Sequence, residues 1–80
     1  MSDVNQQQLS QAHAKTCDLM TSFINGYQSP SLAYAIVDHL SRLLTHPQLL
    51  ASHRQRYLPL LAHWQVIAYS MLEQQIHSQL

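Results

Sequence analysis

Eighty residues carry four basic and four acidic side chains, a formal net charge of zero and one cysteine. That is room for one small domain, near the low end of what folds unaided, and it excludes an intrachain disulfide. Only 10% of residues are charged, against roughly 25% in an average soluble domain.

Neutrality argues against general nucleic-acid binding, which draws most of its affinity from Lys and Arg meeting phosphates. Sparse charge also leaves the surface poorly protected against self-association. No positively charged start leads into an apolar run, so no signal peptide is expected. No apolar stretch approaches the roughly 18 residues that suggest a membrane span. The lone Cys17 fits a reducing compartment, and the expected location is the cytoplasm. One glycine and three prolines are few turn residues for a strand-rich fold. The apolar positions repeat at helical spacing instead.

The first helix is expected from about Asp3 to Asn25. Leu9, Ala12, Thr16, Leu19, Phe23 and Tyr27 step by three or four residues into one stripe, which Met20 and Ile24 widen. Ser2 or Asp3 is a suitable N-cap, and Gly26 sits where a helix ends in a left-handed conformation. The Gln-rich start has nothing to bury, which leaves residues 1–8 free to fray.

Ser29-Pro30 is a specific start signal for the second helix, a capping serine followed by proline at the first helical position. Leu32, Ile36, Leu40 and Leu44, flanked by Ala33, Val37 and Leu43, form a face broad enough for two neighbours. The helix should end near Thr45, because Pro47 disfavours helical geometry at His46. The tight Gly26–Pro30 turn makes the first two helices antiparallel neighbours.

A short helix is expected from Pro47 to about Tyr57, with Ser52 and Gln55 as an alternative capping box. Pro59 removes a backbone donor and crowds the preceding turn, so a break or kink is expected there. The last helix then runs from Pro59 to about Ser78. Its stripe is Leu61, Trp64, Ala68, Met71 or Leu72, and Gln75 or Ile76, broadened by Leu60 and Ile67. The expected fold is all-α: a small bundle of three long helices plus one short helix, a single domain over 1–80.

Six histidines are the most conspicuous candidates for chemistry. His39, His46 and His53 recur every seven residues, but Pro47 interrupts the helix that would align them. His13 with Cys17, and Glu73 with His77, are better pairs, each four residues apart on one helix face. Together they make a ligand set that zinc accepts. Nothing in the sequence sets the two pairs side by side, and the short-spaced Cys/His zinc patterns are absent. Scattered surface histidines are the plainer reading, and no metal or cofactor is assigned.

No catalytic set stands out. Cys17 has His13 one turn away, but Asp18 beside it disfavours the thiolate that catalysis needs. The four carboxylates are far apart in sequence, and one glycine cannot make a phosphate loop. The only basic cluster is His53 to Tyr57, with Arg54 and Arg56. Read as part of a helix-turn-helix it would touch phosphates; read plainly, the arginine stems cover apolar neighbours. Tyr34 and Tyr69 fall off the main stripes and are candidate interface anchors.

These features favour a non-enzymatic helical interaction module, an adaptor, chaperone-like or regulatory factor. It would act as a homodimer or with a protein partner, through Tyr34, Tyr69, Arg54 and Arg56. The rivals are a helix-turn-helix-like nucleic-acid-binding regulator and a His/Cys metal-binding protein.

Overall fold

The computed structural model describes the backbone of residues 2–78 and the side chains of residues 7–76. Three helices follow in order: α1 (Ser2–Ile24), α2 (Pro30–Leu44) and α3 (Ala51–Ser78). Among the described residues there is no strand, and no helix is long and apolar enough to cross a membrane. The expected N-cap at Ser2 or Asp3 lies outside the described side chains.

α1 ends where the one glycine allows it to. Gly26 has φ +117°, its N–H donates to the Phe23 carbonyl at 3.2 Å, and the Tyr27 N–H donates to the Ser22 carbonyl at 3.1 Å. This pair of bonds is a Schellman C-cap, which satisfies carbonyls the helix would otherwise leave open. The turn also corrects part of the expected stripe. Tyr27 lies beyond the helix and is exposed, and Ile24 points away from the core. Thr16 is buried, and its hydroxyl donates to the Ala12 carbonyl of its own helix at 2.7 Å, so the buried oxygen is satisfied locally.

α2 starts at the Ser29-Pro30 signal. Ser29 is extended (φ −140°, ψ 153°), and its Oγ accepts from the Leu32 N–H at 3.1 Å, with Pro30 at the first helical position. The broad apolar face is buried: Ala33, Ile36, Leu40, Leu43 and Leu44. As expected of a central helix, α2 packs against both α1 and α3. An exposed Asp38–Arg42 pair at 3.0 Å adds a few tenths of a kcal/mol at most.

The segment after α2 departs from expectation. There is no separate short helix from Pro47 to Tyr57. Residues 45–50 are a turn, closed by His46 N–H to the Leu43 carbonyl, Leu49 N–H to the His46 carbonyl, and Gln48 N–H to His46 Nδ1. Arg54 donates from Nη1 to the Leu44 carbonyl, which ties the start of α3 to the end of α2. Ser52 does not cap a helix; it is already inside α3.

Nor does Pro59 break the chain. It lies within α3, which runs unbroken for 28 residues. The proline removes one bond, the one that would end on the Gln55 carbonyl. Both Gln55 and Pro59 are exposed, so water can reach that carbonyl. Tyr57 before the proline and Leu61 and Trp64 after it pack on the same core. Tertiary packing therefore holds both halves on one axis against the local cost of proline.

The core joins all three helices through Phe23 of α1, Ala33, Ile36 and Leu40 of α2, and Trp64 and Ala68 of α3. The Phe23 and Trp64 rings meet edge-on, with centroids 5.0 Å apart, the favoured aromatic geometry. His13 meets Tyr57 and Phe23 meets Trp64, so α1 and α3 run in the same direction. Among the described residues they do not touch through their backbones: no Cα of α1 lies within 8 Å of a Cα of α3. The molecule is correspondingly long and thin, 54 × 20 × 16 Å with a radius of gyration of 14.3 Å. A compact chain of this length would have a radius of about 12 Å.

Trp64→Ala should cost roughly 3–5 kcal/mol, read as a lower urea midpoint at unchanged helical content at zero denaturant. Pro59→Ala should raise stability by about 2 kcal/mol, because alanine restores the missing hydrogen bond in an otherwise continuous helix. An unchanged or lower midpoint for that variant would contradict the account of α3.

Candidate protein-interaction site

Because α2 holds α1 and α3 side by side without backbone contact, a cleft runs between them. Its floor is made of side chains that reach across from both helices. At one end His13 of α1 meets His53 and Tyr57 of α3. Ring centroids are 5.7 Å apart for His13 and His53, and 5.3 Å for His13 and Tyr57. The Tyr57 hydroxyl and His13 Nδ1 share a hydrogen bond at 2.5 Å, in which the phenol donates when Nδ1 carries no proton. Leu9, Gln48 and Leu50 line the same end.

The other end is apolar. Met20, Phe23 and Ile24 come from α1, and Leu60, Trp64 and Ile67 from α3. Cys17 and His63 stand on its rims and are exposed. The volume there is about 630 Å³, within the range of sites that take sizeable apolar groups. Ile24 is 72% exposed, which is costly for an isoleucine in water and leaves the cleft wall unsatisfied.

The electrostatics of the polar end follow from its neighbours. Burial lowers the His13 pKa below its ordinary value near 6.5, and the nearby His53 and His46 imidazoles lower it further when they are charged. Burial raises the Tyr57 pKa, with the neighbouring Cys17 thiol adding to the rise and Arg56 opposing it. Both shifts keep the pair neutral, the state in which phenol donates and imidazole accepts. His39 and His46 have local duties of their own. The His39 Nδ1–H donates to the Ala35 carbonyl at 2.8 Å, and His46 Nδ1 accepts from Gln48.

The candidates read from the sequence are scattered by the fold. Tyr34 stands exposed on α2 and Tyr69 exposed on α3. Arg56 is exposed near the start of α3. Arg54 is engaged with the Leu44 carbonyl, so half of the basic cluster serves the α2–α3 turn. His13 is brought to His53 and Tyr57 rather than to Glu73, which lies twenty residues beyond His53 on α3, roughly 30 Å away along the helix. The His77 side chain lies outside the described residues. Among the described residues no three His, Cys, Asp or Glu side chains gather in a metal-binding group.

The cleft itself was missed in the sequence. In the sequence Leu60 and Ile67 broaden the last stripe and Met20 and Ile24 the first, with nothing to mark them as walls of an open cleft. The available signal was the width of those stripes: two helices whose apolar faces are wider than α2 alone can cover. No protein-family model matches the chain, and neither a curated protein nor a solved structure resembles it.

A depressed histidine pKa makes the folded state bind a proton less readily than the unfolded chain. Stability should therefore be full above about pH 7 and decline as pH falls through the unfolded value near 6.5. The groups facing His13 are His53 and Tyr57 from α3 and His46 from the turn, with Cys17 one turn along α1. His13→Gln keeps an acceptor for Tyr57 but cannot titrate. Urea midpoints measured from about pH 7.5 down to about pH 5 should fall less steeply for that variant than for the parent. Equal slopes would remove His13 from the explanation.

Proposed function

We propose that this chain is a non-enzymatic protein-interaction module, a small adaptor, chaperone-like or regulatory scaffold, that holds an apolar helix face of another protein in the α1–α3 cleft. The observation that carries the reading is the open cleft, lined by Met20, Phe23, Ile24, Leu60, Trp64 and Ile67 and left unfilled because the two backbones stand apart. A helix laid in that position would bury the exposed Ile24 and complete a four-helix arrangement, the usual way such grooves are satisfied. Sparse charge supports the same reading, since charged residues are depleted at the centres of interfaces.

The test is co-purification from the native host, comparing the parent with an Ile24→Lys/Leu60→Lys variant. Both positions line the cleft and are exposed, so the variant should fold with an unchanged circular dichroism spectrum. A partner recovered in stoichiometric amount with the parent and lost with the variant is the expected result. Recovery of the same proteins with both, or of none with either, would overturn the proposal.

A further inference from the structure

α3 carries two apolar stripes, and only one of them is used inside the chain. Tyr57, Leu61, Trp64, Ala68 and Met71 pack on the core. The residue after each of these forms a second row: Leu58, Ala62, Gln65, Tyr69 and Leu72, continued by Ile76. A step of one residue turns about 100° around a helix, so this row lies to one side of α3's core stripe; Leu72 is half-buried and the other members are exposed. Leu58 is 53% exposed, Tyr69 61% and Ile76 52%, and Val66 beside the row is 65% exposed. Glu73, Gln74, Gln75 and Ile76 are all exposed.

The geometry points to a second copy of this chain as the occupant, with the two α3 helices antiparallel across a two-fold axis near residue 67. The row advances by four, three, four, three and four residues, the spacing of a coiled-coil seam. That series reads the same in both directions. Two antiparallel copies therefore set Leu58 against Ile76, Ala62 against Leu72 and Gln65 against Tyr69, each pair occurring twice, as a two-fold interface requires. Small Ala62 opposite Leu72 allows close approach, and the Gln65 amide can bond the Tyr69 hydroxyl. Val66 falls beside the axis.

Charge permits this pairing. The row contains no Asp, Glu, Lys or Arg, and Glu73 on its flank meets the neighbourhood of Pro59 rather than another carboxylate. The chain is neutral, so two copies do not repel. The free surface of Leu58, Val66, Tyr69 and Ile76 is on the order of 450 Å² per copy, at the upper end of what a monomer leaves exposed. Two copies together bring about 900 Å² of apolar surface to the contact, the size of a weak, concentration-dependent interface. This surface is separate from the α1–α3 cleft, so the two proposals can fail independently.

Light scattering on the full-length protein, followed up to millimolar concentration, should give twice the 9.2 kDa chain mass. Val66→Lys/Tyr69→Lys, both at exposed positions, should give 9.2 kDa with unchanged helical content. Register is read by oxidative crosslinking in a Cys17→Ser background. Val66→Cys should crosslink to itself, whereas Leu58→Cys should not, because its two copies lie about 27 Å apart along the axis. A monomer at every concentration overturns the inference and leaves the cleft proposal standing if a partner is still captured there. A dimer that survives the double lysine variant, or one that crosslinks at Leu58→Cys, also overturns it.

Discussion

The buried face of α2 carries the structure, since α2 alone packs its backbone against both other helices. Ala33, Ile36 and Leu40 are fully enclosed, with α1 on one side and α3 on the other. Most helical stability in a protein comes from packing an apolar face, so each flanking helix is held mainly by what it buries on α2. A single broad face serving two neighbours sets those neighbours side by side. It does not press them together. The Phe23–Trp64 contact and the His13–Tyr57 hydrogen bond are long side chains spanning the gap that remains. The cleft is thus a direct consequence of how α2 packs.

The same geometry explains the unusual surface. A chain of this size cannot cover all of its apolar area with three helices, one of which is only 15 residues long. α3, at 28 residues, is nearly twice as long as α2, and its outer side and far end leave Leu58, Val66, Tyr69 and Ile76 exposed. With few charged residues to surround it, this surplus is better suited to another protein surface than to water. Two apolar regions result, the cleft and the outer row of α3, and they differ in character. The first is concave and bounded by aromatic rings. The second is a convex helix ridge whose spacing is self-complementary.

Three of the histidines have structural roles. His39 bonds back to its own helix, His46 closes the turn after α2, and His13 fills the gap between α1 and α3. Through the lowered pKa of His13, their placement ties stability to pH. The basic cluster behaves in the same way, since Arg54 gives its guanidinium to the last turn of α2, where open carbonyls favour a cation.

The helical class, the Schellman turn at Gly26, the Ser29-Pro30 start and the two-sided burial of α2 were all legible in the sequence, because each depends on residues within one or two turns of one another. So was the end of α2 before Pro47, whereas the lack of a separate helix after Pro47 and the outcome at Pro59 were not. Local chemistry ranks both prolines as breakers, but at Pro59 the packing of Tyr57, Leu61 and Trp64 on one core outweighs a single lost hydrogen bond. The cleft was hidden for a related reason: helical periodicity shows which residues are apolar, not whether a neighbouring helix arrives to cover them. That Ile24 and Leu60 border an open groove, and that His13 meets His53 rather than Glu73, depends on the distance α2 imposes between α1 and α3. Only the tertiary structure decides that distance, through the volumes of the side chains packed between the helices.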